Sequence, residues 1–307
     1  GNLNGGGAGG SVWITVSTLT GSGTISANGG DATYSSSSSG GGGGRIAVIL
    51  THTETFGGVL ITAYGGEGGN QDGAAGTKYL QKASESSTTG HLIVDNLGYD
   101  GHKLQSWIEY DSYTDLSGYE DVSYTFGTIT LTNKGLIGVG GGDTLTIAAD
   151  TIVHGDPSGP DDGIQMAEGV LATPASWGYS NFLIQVVSNN TTFSPGTGLY
   201  VGENAELRIN EPHVITGDVT IASGGLLGHD QNYQVEKYKI DLAVFGDLTV
   251  AAGGTADVTG NGYRYDRYPL GNYQTAMYGG GGSYGGRGGD GRCCENKPSY
   301  SAWGSLT

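Results

Sequence analysis

Glycine is the residue that most constrains what this chain can fold into. It accounts for 61 of the 307 residues, and its densest blocks lie at 5–10, 40–44 and 279–289. Glycine loses more backbone entropy on folding than any other residue, so an ordered protein keeps it where the chain turns tightly or where two backbones approach closely. This distribution predicts a repetitive architecture, and reaction chemistry rarely requires one.

The apolar residues argue against a flexible, disordered chain. Hydrophobic residues make up 36% of the sequence, and many of them lie in short β-like segments such as 12–16, 45–50 and 128–132. Val, Ile, Thr and Tyr dominate these segments, and these residues favour pleated strands. We therefore expect an ordered all-β protein with long glycine-rich connections.

A strand–glycine repeat recurs along the chain, most clearly at 19–30, 57–66 and 248–262. Each copy reads as a short strand, a glycine corner, a second short strand and a glycine exit. This pattern predicts a right-handed parallel β-solenoid, or β-helix, with Gly or Asn in left-handed conformation at the corners and an inward row of Val, Ile and Leu. The alternative is a β-sandwich, which would show longer strands at more regular spacing.

We expect a single elongated solenoid over 1–307, divided by composition into four parts. These parts are N-terminal glycine-rich coils at 1–66, an excursion rich in Tyr, acids and loops at 99–185, regular coils at 186–262, and a Gly/Tyr-rich segment with a cysteine pair at 263–307.

Charge and hydropathy exclude two classes of partner. The net charge is −17 with only 13 Lys plus Arg, whereas phosphate binding needs clustered cations. No apolar run approaches the roughly 20 residues of a membrane span. We expect no nucleic acid and no membrane span, and we expect an extracellular or cell-surface location. Because the sequence starts at Gly1 without a hydrophobic leader, we also expect a processed chain or a piece of a longer one.

Specific sequence at both ends carries a family resemblance. Residues 5–16 read GGGAGGSVWITV, 23–30 read GTISANGG, 40–48 read GGGGGRIAV, and 284–290 read YGGRGGD. These motifs resemble the glycine-rich β-helical repeats of large surface proteins of algae, other microbial eukaryotes and bacteria. The resemblance covers 1–66 and 244–307 and covers the middle poorly. It implies an extracellular structural or adhesive role without catalytic residues, in a chain that runs from one glycine block to just before the next.

The functional expectation is a non-enzymatic structural subunit of an extracellular filament, hair or sheath. Open solenoid ends associate unless they are capped, and a head-to-tail contact that does not close gives a filament. The partner would be a copy of the chain or an adjacent repeat of a longer polypeptide. One alternative is a cell-surface adhesin that binds glycans on its Tyr and Trp side chains. A second is a polysaccharide lyase-like enzyme with paired carboxylates.

Terminal residues are the predicted assembly interface. The N-terminal glycine block of one subunit would meet the region 278–294 of the next, with aromatic anchors supplied by the C-terminal segment. The two adjacent cysteines are either free or locally paired thiols, or they bridge subunits. The interface residues are Gly5, Gly6, Gly7, Gly9, Gly10, Tyr278, Tyr284, Tyr300 and Trp303, and the cysteines are Cys293 and Cys294.

Two further loops carry candidate chemistry. Asp156, Asp161 and Asp162 lie in a turn-rich loop that is either solvated or a weak calcium site. Asn189 and Asn190 begin two overlapping glycosylation sequons, which a secreted eukaryotic chain would use. The six histidines are isolated in sequence, so we expect no zinc site and no cofactor other than calcium.

Overall fold

The computed structural model describes residues 5–32, 37–99, 114–115, 122–157, 162–232 and 237–262. These residues form strands, turns and irregular connections, and none of them lies in a helix. The prediction of an all-β chain is therefore confirmed for the described part.

The strands are short, with two to six residues each. In chain order they are Ser11–Val16 (β1), Thr24–Ser26 (β2), Arg45–Leu50 (β3), Leu60–Thr62 (β4), Thr77–Gln81 (β5), His91–Asp95 (β6), Thr114–Asp115 (β7), Ser123–Thr125 (β8), Thr128–Thr132 (β9), Leu136–Gly140 (β10), Thr144–Thr146 (β11), Ile152–His154 (β12), Gly163–Ala167 (β13), Val170–Ala172 (β14), Ser176–Tyr179 (β15), Leu183–Val186 (β16), Gly198–Val201 (β17), Glu206–Ile209 (β18), His213–Ile215 (β19), Asp218–Ile221 (β20), Leu226–Gly228 (β21), Leu242–Val244 (β22), Leu248–Val250 (β23) and Thr255–Ala256 (β24).

Three longer sheets organise these strands. Sheet I has the order β1-β3-β5-β6-β9-β12, sheet II has the order β24-β21-β18-β16-β13-β10-β7, and sheet III has the order β15-β17-β20-β23. Shorter ladders join β14-β11-β8, β19-β22 and β2-β4. Except for β5 and β6, all strand neighbours in these sheets run parallel.

Parallel neighbours in sheet II recur at short sequence intervals. Gly163 pairs with Leu183, Leu183 with Glu206, and Glu206 with Leu226. Each step covers about 20 residues, which is enough for the crossover that a parallel pair requires. The crossover contains further strands of the other sheets, so the chain returns to the same sheet after visiting the others.

The core is built from aligned rows of aliphatic side chains. Ile164, Ile184 and Leu207 occupy register-matched positions of neighbouring strands and are fully buried. Val219 and Ile221 of sheet III are buried as well. A fully buried side chain of this size stabilises the fold by about 1.5–3 kcal/mol relative to leaving it exposed, so the rows hold successive strands in register.

Left-handed residues turn the chain at stacked corners. Asn181, Asn204, Gly224 and Gly253 have φ values of 64°, 51°, 76° and 81°. They lie one behind the other, because Asn204 N–H donates to the Gly224 carbonyl and Gly224 N–H to the Gly253 carbonyl. The predicted use of Gly and Asn at left-handed corners is confirmed here, since both residue types tolerate this conformation.

One antiparallel pair interrupts the parallel arrangement. Residues 78–80 of β5 pair with 91–93 of β6 in antiparallel register. The buried core is accordingly split into two clusters, one drawn from residues 27–63 and one from 75–227. We call this antiparallel contact between β5 and β6 the seam. It leaves no distinctive signal in the sequence, because an antiparallel connection needs only a polar turn, here at 82–90. Turns of that composition are common throughout the chain.

The segment 122–185 supplies β10 and β13 and the start of β16 to sheet II and β15 to sheet III, which also contain strands of 186–228, whereas its other strands lie in sheet I and in the ladder β14-β11-β8. In β9 and β13 the side chains of Ile129, Leu131, Ile164 and Met166 are completely buried. Much of the Tyr- and acid-rich sequence at 100–121 lies outside the described residues, and the division of the chain at 99 and 185 stays a prediction.

Candidate functional site

Five glycine-rich segments, at 5–10, 27–32, 39–44, 63–68 and 71–76, form what we call the glycine layers. Neighbouring segments bond at every third residue. Gly6 N–H donates to Ser39 O at 2.9 Å and Gly9 N–H to Gly42 O at 2.8 Å. A β-ladder bonds at every second residue, whereas a three-residue period is typical of the extended polyproline-II type helix, which has no internal hydrogen bonds. Backbone groups of neighbouring segments thus satisfy one another where the segments meet.

The segments lie in two layers that bond to each other. Gly30 N–H donates to Gly7 O at 2.7 Å, Gly41 N–H to Gly30 O at 2.9 Å, and Gly66 N–H to Gly41 O at 2.8 Å. Segments 5–10, 39–44 and 71–76 lead directly into β1, β3 and β5, and segments 27–32 and 63–68 follow β2 and β4. The glycine layers therefore continue a pair of sheets, with direct backbone hydrogen bonds between them.

Close approach explains why these positions are glycine. A Cβ atom added at Gly41 would overlap the carbonyl oxygen of Gly7, and one added at Gly6 would overlap that of Gly30. At Gly7 and Gly10, in contrast, an added Cβ would meet no atom within 4 Å. In segment 5–10 only some glycines are thus required by packing, whereas in 63–68 and 71–76 a Cβ atom at any glycine would overlap backbone.

The predicted interface residues Gly5–Gly10 form the outermost segment of the glycine layers. Gly6 and Gly9 bond inward to 39–44, while Gly7, Ala8 and Gly10 donate no backbone hydrogen bond to a described residue. The backbone packing that we expected between subunits thus occurs within the chain on one side of this segment. The residues expected on the partner lie outside the described residues, and the contact with them stays a prediction; these are Tyr278, Tyr284, Tyr300, Trp303, Cys293 and Cys294.

Strand β1 continues this free edge. Among the described strands it pairs only with β3, and the carbonyls of Gly10 and Val16 accept hydrogen bonds from Arg45 and Thr51. Because bonding groups alternate along a strand, the odd-numbered residues of β1 direct their N–H and C=O groups away from β3. Trp13, one of these residues, is 74% exposed.

The strands at the other end of the sheets also have one neighbour each. Within the described residues β23 pairs only with β20, and β24 only with β21. Phe245 is 76% exposed, and Leu248, Val250 and Val258 are exposed too. β1, β23 and β24 are therefore terminal strands of sheets I, III and II, and exposed apolar side chains lie on or near each of them.

The acidic loop uses its buried carboxylate internally. Asp162 is buried, its Oδ1 accepts from Gly135 N–H at 2.9 Å, and its Oδ2 accepts from Asp156 N–H at 3.2 Å. Burial raises the pKa of Asp162 to about 6, against the backbone hydrogen bonds. Asp161 lies outside the described residues, and in the described ranges no group of three or more His, Cys, Asp or Glu side chains is placed to hold a metal ion. A calcium site at Asp156, Asp161 and Asp162 stays a prediction.

A polar network covers the outer face of sheet II. Arg208 donates to both carboxylate oxygens of Glu206 at 2.8 Å and to Asp230 Oδ1 at 3.1 Å. Asp230 Oδ2 accepts from Gln185 and Asn210 at 2.6 Å each. A lyase would need carboxylates and a cation available to substrate, whereas these groups bond to one another and fix residue 230 against the sheet.

The two sequon asparagines lie in an exposed turn after β16. Asn189 and Asn190 are both exposed, whereas Thr191, the hydroxyl residue of the first sequon, is buried and donates to Met166 O at 3.2 Å. Thr192, the hydroxyl residue of the second sequon, is exposed. Glycosylation at either position stays a prediction.

A pocket of about 300 Å³ lies where sheet I ends at β12 and sheet III begins at β15. Its walls include His154, Trp177, Ser180, Asn181 and Tyr200. An aromatic surface at this place could not be located from the sequence. Residues near 154, 177 and 200 are far apart along the chain, and only the strand order brings them together.

Comparison with protein-family models, with curated proteins and with solved structures finds no match for this chain. No helix in the described ranges has the length and apolar character to cross a membrane. The family resemblance of the terminal motifs therefore stays a prediction.

Proposed function

We propose that the chain is a non-enzymatic structural subunit of an extracellular filament, hair or sheath, built as a right-handed parallel β-solenoid. Subunits join end to end, either as copies of this chain or as adjacent repeats of a longer polypeptide. The proposal rests above all on the terminal strands β1, β23 and β24, each of which pairs with a single neighbour among the described strands.

Strand edges explain why such an arrangement assembles. An edge presents a row of N–H and C=O groups that pairs with any compatible strand unless it is blocked. Charge, proline or a covering loop usually blocks an edge, but β1 contains no charged residue and no proline. A contact between β1 of one copy and β23–β24 of the next is head-to-tail, and a head-to-tail contact that does not close gives a filament.

The glycine layers support the same proposal. The N–H groups of Gly7, Ala8 and Gly10 donate to no described residue, and nothing lies within 4 Å of a Cβ atom added at Gly7 or Gly10. A glycine-rich segment of a second subunit could dock there through main-chain hydrogen bonds, as strand addition does at sheet edges. The net charge of −17 would keep separate filaments apart.

Edge blocking tests the proposal. Thr15 lies on β1 with its N–H directed away from β3, and proline is tolerated at such an edge position. Thr15→Pro should therefore leave the chain folded and remove one intersubunit hydrogen bond, while Thr15→Ala keeps the N–H group. Sedimentation velocity over a range of concentrations measures the assembly of each protein.

We expect the unmodified chain and Thr15→Ala to form long assemblies and Thr15→Pro to assemble at least tenfold more weakly. A monomer at all concentrations for the unmodified chain, or equal assembly of all three proteins, would contradict the proposal. Turnover of an acidic polysaccharide by the purified chain would favour the lyase alternative instead.

A further inference from the structure

We propose that the pocket between β12 and β15 binds a neutral sugar residue. The inference goes beyond the filament role, since a structural subunit can be built with or without a glycan site. It rests on three observations: an interrupted strand ladder, a rigid aromatic wall and a set of polar groups without a close partner among the described residues.

The interrupted ladder creates the pocket. β12 is the last strand of sheet I and β15 the first strand of sheet III, so no hydrogen bonds join them. Gly155 follows β12, and a Cβ atom there would overlap the carbonyl of Asn181. The chain after β12 and the chain after β15 therefore come close at Gly155 and separate beside it. The space between them is a cavity of about 300 Å³, which is at the small end of the range for ligand pockets.

An aromatic cluster makes one wall rigid. The ring of Trp177 stacks on Tyr179 with centroids 5.3 Å apart and meets Phe193 edge-on at 6.2 Å. Tyr200, 51% exposed, lies opposite Gly178 in the parallel register. A Cβ atom at Gly178 would lie 3.3 Å from Tyr200 Cβ. The absence of a side chain at Gly178 therefore provides space for the Tyr200 ring beside the pocket.

Polar groups around the aromatic wall have no close hydrogen-bond partner among the described residues. The side chains of His154 and Ser180 and the hydroxyl of Tyr200 make no hydrogen bond to a described residue. The amide of Asn181 has only one long contact, 3.5 Å from Asn204 Nδ2 to its Oδ1. Donors and acceptors around an aromatic face match a sugar ring, which has an apolar C–H face and a rim of hydroxyl groups.

Charge points to a neutral sugar. The lining contains no Lys or Arg, and the chain carries a net charge of −17. An anionic sugar would find no cation to pair with and would be repelled at long range. The occupant is therefore one neutral residue, or the end of a neutral oligosaccharide.

Binding of soluble gluco-, manno-, galacto- and xylo-oligosaccharides tests the site by saturation-transfer NMR and by Trp fluorescence. We expect at least one neutral series to bind. Tyr200→Ala should weaken that binding about tenfold, equivalent to about 1.4 kcal/mol. Trp177→Phe, which keeps the ring packing, should remove most of the fluorescence change.

Phe245→Ala is the matched control, since Phe245 is an exposed aromatic residue outside the pocket. It should leave affinity unchanged. The proposal is overturned if no neutral oligosaccharide binds at millimolar concentration, if oligogalacturonate binds more tightly, or if Tyr200→Ala and Phe245→Ala have equal effects. Thr15→Pro, which tests assembly, should leave sugar affinity unchanged, so the two proposals fail separately.

Discussion

At the scale of single residues, glycine has two distinct roles in this chain. Some glycines let backbones touch, as Gly41 does against Gly7, and others merely face outward, as Gly10 does. Composition alone predicted close backbone approach. It could not separate the two roles, because the distinction depends on which of every three residues faces a neighbouring segment.

Substitution at these positions should separate the two roles. Gly41→Ala forces a Cβ atom into the Gly7 carbonyl and should lower the free energy of unfolding by about 1–3 kcal/mol, as overpacking does. Gly10→Ala meets no atom within 4 Å and should be neutral or stabilising by up to about 1 kcal/mol. Chemical denaturation of both variants measures the difference, and equal effects would contradict the geometry of the glycine layers.

Asp162 gives a prediction of pH dependence. Its pKa is raised from 3.8 to about 6, chiefly by burial and further by the charge of Asp156, while the N–H groups of Gly135, Lys134 and Asp156 act in the opposite direction. Between these two pH values the folded chain holds a proton that the unfolded chain has lost. The contribution of Asp162 to stability is therefore greatest below about pH 4, falls as the pH rises to about 6, and is constant above that.

Carboxyl carbon NMR measures this titration directly, with an expected midpoint near pH 6. In Asp162→Asn the ionisable group is absent. The difference in unfolding free energy between the unmodified chain and this variant should therefore change between about pH 4 and 6. Above about pH 6 this difference should be constant. A midpoint at or below the ordinary value of 3.8 would show that the backbone hydrogen bonds outweigh burial.

At the scale of elements, the antiparallel seam joins the glycine layers to the rest of the chain. Asn96, which follows β6 and is buried, accepts from Gly65 N–H at 3.0 Å and donates to Gly73 O at 3.2 Å. Across the same seam Lys78 pairs with Asp95 at 3.1 Å. The side chain of Asn96 thus links two glycine segments to β6.

Removing that link should loosen the glycine layers selectively. Asn96→Ala leaves Gly65 N–H and Gly73 O without their partner, at a cost of about 1–3 kcal/mol. Hydrogen exchange should accelerate at Gly65 and across 63–76 more than in β16 and β18. Asn190→Ala, in an exposed turn, is the control and should change neither region; uniform acceleration in Asn96→Ala would instead mean that the chain unfolds as one unit.

Local sequence predicted the elements better than their connections. Alternating Val, Ile and Thr gave the strands, and Asn and Gly marked left-handed corners such as Asn204 and Gly224. The seam at β5–β6 and the pocket beside Trp177 depend on which strands become neighbours, and neither leaves a local pattern. The three-residue bonding period of the glycine layers was equally hidden, since a run of glycine has no side-chain periodicity to read.

At the scale of the whole molecule, we propose that one stack of parallel strands continues across the subunit boundary. Among the described strands, β1, which follows Gly5–Gly10, ends sheet I, while β23 ends sheet III and β24 ends sheet II. In an assembled filament, β1 of one subunit would then follow the C-terminal end of its neighbour at the spacing of about 4.8 Å that separates hydrogen-bonded strands.

Cryo-electron microscopy of the assembled protein tests this claim most directly. The predicted map shows head-to-tail subunits with a glycine-rich segment packed against Gly7 and Gly10 and with strand density continuous through the joint. A map in which β1 and Gly5–Gly10 face solvent, or in which subunits meet through the sides of the sheets, would contradict it.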